Sequence, residues 1–161
     1  MTAPAGHDSG AAALALIITK LETKQQDNDG GNAMTHTIET TIARYMNTFD
    51  RAAHDPEALE ELLTLFAPDA SVQLRDDLEP VIGIAALREL YRGVVGHTAE
   101  SRHVWTTTAL DDGRIEARWA QASRTVDDRM VAVSGIEHVT LNADGLITNL
   151  RNRMVAPDNP F

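Results

Sequence analysis

Apolar positions follow a helical spacing through the first half of the patterned chain and alternate with polar ones through the last third. From Thr37 onward, Ile38, Ile42, Tyr45 and Phe49 fall four, three and four residues apart, which places them on one helix face. A second helix is predicted at Asp55-Pro56-Glu57, with an acceptor at the N-cap, proline in the first turn and an acid beside it. It carries Leu59, Leu62, Leu63 and Phe66 inward and is closed by Pro68. Ala70 to Leu74 reads as a short strand, followed by the polar loop Arg75-Asp76-Asp77 and an extended piece through Val81. Gly83 leads into a third helix with Ile84, Leu87, Tyr91 and Val94 as its stripe, ending near Gly96.

Beyond Gly96 the period changes to two. Residues 102–110, 114–126, 130–141 and 146–155 are long alternating runs separated by Asp-Gly and Asp-Asp turns, the pattern of a four-stranded antiparallel meander. Three helices followed by a long sheet predict an α+β domain whose helices cover one sheet face and leave a pocket between the layers. On the third of these runs Val131, Val133, Gly135, Glu137, Val139 and Leu141 share a face that is apolar except for one carboxylate. A charged carboxylate in apolar surroundings costs several kcal/mol, on the order of the loss of a buried hydrogen bond or more, unless it is paired or protonated. Glu137 therefore has a partner or is held neutral. Depending on the length of the turn, the partner is Arg151, opposite or nearly opposite on the next run.

Composition narrows the function classes. Residues 1–33 are Ala, Gly and polar-rich and end in Gln25-Gln26-Asp27-Asn28-Asp29-Gly30-Gly31, which predicts a disordered tail with a short helix over Ala11 to Glu22. Residues 34–161 form the predicted domain, and Met34 offers a second start of translation. The run from Ala11 to Ile18 is too short to cross a bilayer, and Met1 to Gly10 carries Asp8 but no Lys or Arg, so a cytoplasmic location is expected rather than export. A net charge of -10 repels phosphate backbones and anionic lipid, which argues against nucleic acid and membrane partners. Without cysteine there are no disulfides, thiol nucleophiles or thiolate metal sites. A Gly-rich phosphate loop, a G-x-S-x-G elbow and an H-E-x-x-H helix are also missing, and His97 and His103 lack metal-ligand spacing, so no metal and no cofactor are expected.

Ala43-Arg44-Tyr45, Leu65-Phe66-Ala67-Pro68-Asp69-Ala70-Ser71-Val72, Leu87-Arg88-Glu89-Leu90-Tyr91, Ile136-Glu137-His138 and Asp144-Gly145-Leu146-Ile147 occur in this order. Together they resemble the nuclear-transport-factor-like superfamily, and within it the ketosteroid-isomerase and SnoaL-like branch. The resemblance implies a cone-shaped, cystatin-like α+β roll with a mixed or antiparallel curved sheet, and a homodimer formed through the outer sheet face, with Trp105 or Trp119 as anchors. In ketosteroid isomerases a helix-one tyrosine and an acid on the penultimate strand form an oxyanion hole; Tyr45 and Glu137 stand at those positions. The general-base aspartate of that family reads Leu74 here. A second branch, the scytalone-dehydratase-like and bile-acid-dehydratase-like enzymes, is similar in Tyr45, Asp50 and His103, while a further aspartate of the bile-acid type reads Ser123.

The expected function is a cofactor-independent enzyme acting on a small hydrophobic molecule such as a steroid, terpenoid or polyketide, as isomerase, dehydratase or cyclase. Tyr45 and Glu137 would stabilise a developing oxyanion, and His103, tuned by Asp50, would move the proton. Phe49, Leu74, Trp119 and Val139 would wall the pocket. Each residue has a plainer reading: Glu137 as half of an ion pair, Tyr45 as core with its hydroxyl on a carbonyl, His103 as a backbone-bonded edge histidine, Asp50 as a helix-end residue. His138 faces away from Glu137, toward the outer surface or a subunit interface. The competing function is a non-catalytic binding or dimerisation module of the same fold.

Overall fold

The computed structural model describes residues 33–155, with side chains from Thr40 onward. The architecture below is that of the unit within Met34–Phe161, together with the start of its first helix at Ala33. The expected tail and the helix over Ala11 to Glu22 lie outside the described residues.

Helix α1 (Ala33–Ala52) starts ahead of the predicted Thr37 and buries Ile42, Tyr45 and Met46. The same face continues into half-buried Phe49, because positions three and four apart stack along one side. Helix α2 (Pro56–Leu63) begins as its sequence dictates: Asp55 is extended, and its carboxylate accepts from the Glu57 amide. It ends earlier than expected. Thr64 caps it, and Phe66 already belongs to β1 (Phe66–Gln73) rather than to the helix. Pro68 therefore sits inside strand-like chain; it lacks an amide to donate, and the pairing of β1 is irregular between Phe66 and Ser71. A two-residue strand β2 (Val81–Ile82) follows. Gly83, at φ 87°, then turns the chain into α3 (Ile84–Val95), whose buried face is Leu87, Tyr91 and Val95.

Strands β3 (Thr98–Ala109), β4 (Ile115–Thr125), β5 (Met130–Leu141) and β6 (Ile147–Val155) form the expected meander. The sheet is six-stranded and open, ordered β2-β1-β6-β5-β4-β3; β1 lies parallel to β6 and the other pairs are antiparallel. The alternation sends Ser101, His103 and Trp105 of β3, Ala117 and Trp119 of β4, and Gly135, Glu137 and Val139 of β5 to the helix-covered face. Val131, at the far end of β5, is 37% exposed, so the apolar face read from the sequence is buried only from Gly135 onward. The Thr41 hydroxyl donates to the Gly145 carbonyl in the β5–β6 turn, tying α1 to the sheet.

Candidate active site

The end of α1 and the middle of β3 meet at one carboxylate. Asp50 projects from the last turn of α1 and is 5% exposed. Its Oδ1 lies 2.6 Å from the His103 Nδ1 and accepts from the Ser101 hydroxyl at 2.6 Å, while Oδ2 accepts the His103 amide at 2.8 Å. Burial works to raise the carboxyl pKa. The hydrogen bonds from His103 and Ser101 outweigh it and hold Asp50 below the ordinary carboxylate value. An ionised Asp50 only accepts, which assigns the Nδ1 proton to His103 and leaves Nε2 as the ring nitrogen turned away from the carboxylate. Among the described residues no hydrogen bond reaches that nitrogen. Phe49 and Trp119 flank the imidazole, with ring centroids 5.3 and 5.5 Å away.

Glu137 lies farther along the same face of the sheet. In register it stands opposite Asn152, and Arg151 faces His138 instead, so the alternative reading of a Glu137–Arg151 ion pair is not realised. The single-residue offset decides it, because neighbouring strand positions point to opposite sides. Arg151 bonds the exposed Asp76 at 3.2 Å. Glu137 is 4% exposed, and its Oε2 has no hydrogen-bond partner among the described residues. Burial pushes the carboxyl up to about 8, so at neutral pH it is mostly a protonated acid.

Above it, the Tyr45 and Tyr91 hydroxyls are 3.1 Å apart. Burial raises both phenols, and the nearby charge of an ionised Glu137 raises them further. Three neutral O–H groups thus gather in a wall of aromatic rings: Phe66 meets both tyrosines, at 6.0 and 5.7 Å. Tyr91 enters the sequence reading as part of a helix stripe and of the motif Leu87-Arg88-Glu89-Leu90-Tyr91, and neither marks its hydroxyl.

Phe49 joins the two groups, 6.0 Å from Tyr91 and 5.3 Å from His103. The groups do not converge on a single point. His103 pairs with Gln121 and Gln121 with Val133, so Glu137 is two strands across and four residues along, roughly 16 Å between backbones on standard strand spacings. Trp119 occupies the interval. Its indole N–H donates to the Asn152 side-chain oxygen at 3.1 Å, and the Asn152 amide donates to the Leu74 carbonyl at 3.0 Å. Gly135 makes room for the ring, since a Cβ there would lie 2.6 Å from the indole. Trp105 and Trp119 pair in register and both pack against the buried core, so neither is an anchor on the outer sheet face.

The sequence model of the SnoaL-like domain matches residues 42–150, most of the described chain. The chain belongs to the SnoaL-like domain family. No curated protein matches it. Its fold is similar to that of an NTF2-like protein of unknown function from Exiguobacterium sp. 255-15, at 27% identity, covering 71% of this chain and 98% of that one with a TM-score of 0.65. The epoxide hydrolase/cyclase-like enzyme SalBIII of pyran ring formation in salinomycin is 18% identical over 77% and 95% of the two chains, with a TM-score of 0.65. A Δ5-3-ketosteroid isomerase from Mycobacterium sp. is 21% identical over 72% and 91%, with a TM-score of 0.61. At those identities the last two show the fold alone.

Within this SnoaL-like domain Leu74 is a half-buried apolar residue that offers the site only its backbone carbonyl. Val139 is fully buried in the core. Ser123 is buried, and its hydroxyl lies 3.5 Å from the Val131 carbonyl. His138 faces away from Glu137 and bonds Glu116 at 3.1 Å. Asn152 and Ser101 are buried polar residues that the sequence reading passed over. A signal existed for both: each shares strand parity with an inward residue, Leu150 or His103. Among the described residues no group of three His, Asp or Glu side chains is placed to hold a metal ion, and no helix is long and apolar enough to cross a membrane.

Proposed function

We propose that this SnoaL-like domain is a cofactor-independent acid/base enzyme that abstracts a proton next to a carbonyl of a small hydrophobic molecule, leading to a double-bond shift, loss of water or ring closure. The observation that carries this reading is the buried Asp50–His103 pair, in which the carboxylate fixes the tautomer and orientation of the imidazole and leaves Nε2 as the base. His103 takes the place of the base that Leu74 cannot supply. Tyr45, with Tyr91 behind it, and the protonated Glu137 are the donors for the developing oxygen charge; one such donor is worth roughly 2.7 to 4 kcal/mol. Because base and donors sit apart, they act on one substrate through conjugation: the charge left by the proton taken at His103 is relayed along an extended enone lying on the Trp119 face to an oxygen held by the donors. A steroid, terpenoid or cyclised polyketide carries such a system, and the isomerase and cyclase-like neighbours in fold support the same chemistry. The homodimer and the cytoplasmic location belong to the same proposal.

One observation favours the non-catalytic reading. Tyr45, Tyr91 and Glu137 are each at most 4% exposed, so a ligand must displace side chains to reach them. Deuterium uptake from heavy water decides between the two. A panel of unsaturated cyclic ketones should acquire deuterium beside the carbonyl with the native protein and lose that uptake with His103→Gln. No uptake with any member of the panel would leave only a binding module.

A further inference from the structure

Behind the Asp50 carboxylate, on the side away from Glu137, the surface opens into a cleft of about 500 Å³. That volume is within the ordinary range of small-molecule sites. It is lined by His54 after α1, by Ala99 to Arg102 of β3, by Ala122 to Arg124 of β4, and by Met130. Ser101 is its deepest polar group, 3% exposed, with its hydroxyl already donated to Asp50. The cleft therefore reaches to within one hydrogen bond of the His103 pair.

Its charge runs against that of the whole protein. In a chain of net charge -10, the lining holds two arginines and a histidine against a single acid, Glu100. Arg124 is partly neutralised by Glu100 at 3.5 Å and Asp128 at 3.3 Å. The Arg102 side chain has no ion pair or hydrogen bond among the described residues, and the residue stands exposed at the cleft. A free guanidinium presents a planar fork that matches a carboxylate with two parallel hydrogen bonds. Ala122 and Met130 supply apolar contact beside it.

We propose that this cleft binds small organic carboxylates, with the anionic head on Arg102 and the apolar body laid against Ala122 and Met130, which share its sheet face. This binding does not depend on the proposed acid/base function. A hydrophobic acid, rather than a neutral lipid, is the class of molecule the cleft selects.

The test compares cinnamate with cinnamamide, which share shape and differ in charge, by calorimetric titration of the full chain at low salt. Cinnamate should bind about tenfold more tightly, and the difference should shrink as salt rises to roughly 0.5 M. Arg102→Gln, a surface change, should abolish the preference while leaving cinnamamide affinity in place. Equal affinities, no binding of either compound, or an Arg102→Gln protein that still prefers the acid would each overturn the proposal. His103→Gln should keep the cinnamate preference, so a failure of the catalytic reading and a failure of this site give different results.

Discussion

Asp50 and His103 are joined twice: the carboxylate meets the imidazole Nδ1 at 2.6 Å and accepts the amide of the same residue at 2.8 Å. Side chain and backbone of one histidine are thus held by one acid, and the ring has little freedom to turn. Replacing Asp50 with Asn puts an amide N–H against donors that need an acceptor. The Asp50→Asn protein should lose about 2 to 4 kcal/mol in urea unfolding, as breaking a buried charge-assisted network does. Deuterium uptake should fall by about two to four powers of ten.

Acid should act on the same pair. Asp50 titrates below its unfolded value of 3.8, so its contribution to stability is complete above that value and is lost as pH falls through the folded pKa. Unfolding free energy measured down the acid limb should show a drop that Asp50→Asn lacks.

Glu137 predicts the opposite slope. Its folded pKa of about 8 exceeds the ordinary 4.5, so between those values the folded state holds a proton that the unfolded state has released. Stability should fall as pH rises across that window, by roughly 4 to 5 kcal/mol in all, and level off above it. Glu137→Gln keeps a neutral side chain of the same shape and should remove this slope. A variant whose unfolding free energy still follows the native pH curve would show that Glu137 is not the group responsible.

Arg151 should be dispensable. Its partner is the exposed Asp76, and neither touches Glu137. Arg151→Ala should change unfolding free energy by less than about 0.5 kcal/mol and leave the Glu137 titration, read by carboxyl NMR shifts, where it was.

Gly135 should not tolerate a methyl group. A Cβ would press on the Trp119 ring at 2.6 Å and on the Asn152 oxygen at 2.8 Å. Gly135→Ala should cost about 1 to 3 kcal/mol through overpacking. Its tryptophan emission should shift as the indole leaves Asn152.

The sequence carried those features that depend on local spacing. The stripe of α1, the Asp55-Pro56 start of α2 and the alternation of β3 to β6 all follow from period and turn chemistry, and each is present. Boundaries slipped where tertiary pairing overrode local signals: Phe66 is recruited into β1 because Leu65 accepts the Ile147 amide from far along the chain. The candidate residues were legible, and so, through the family resemblance, was the pairing of Asp50 with His103. Strand parity marks Ser101 and Asn152 as inward, but their hydrogen bonds, like that of Tyr91, join distant segments, for which a single sequence has no marker. The alternative Glu137–Arg151 pairing is excluded by one residue of register, fixed by the turn at Asn142 to Gly145 and the irregularity at Thr140 and Leu141.

The parallel seating of β1 beside β6 also governs how the protein can assemble. On the ribosome β1 emerges before β6, its parallel neighbour and the last of the described strands, so until then that flank of β1 has no partner. Such a topology closes late and slowly, and a nascent chain stalled before Ile147 leaves an unpaired strand edge open to association with other chains.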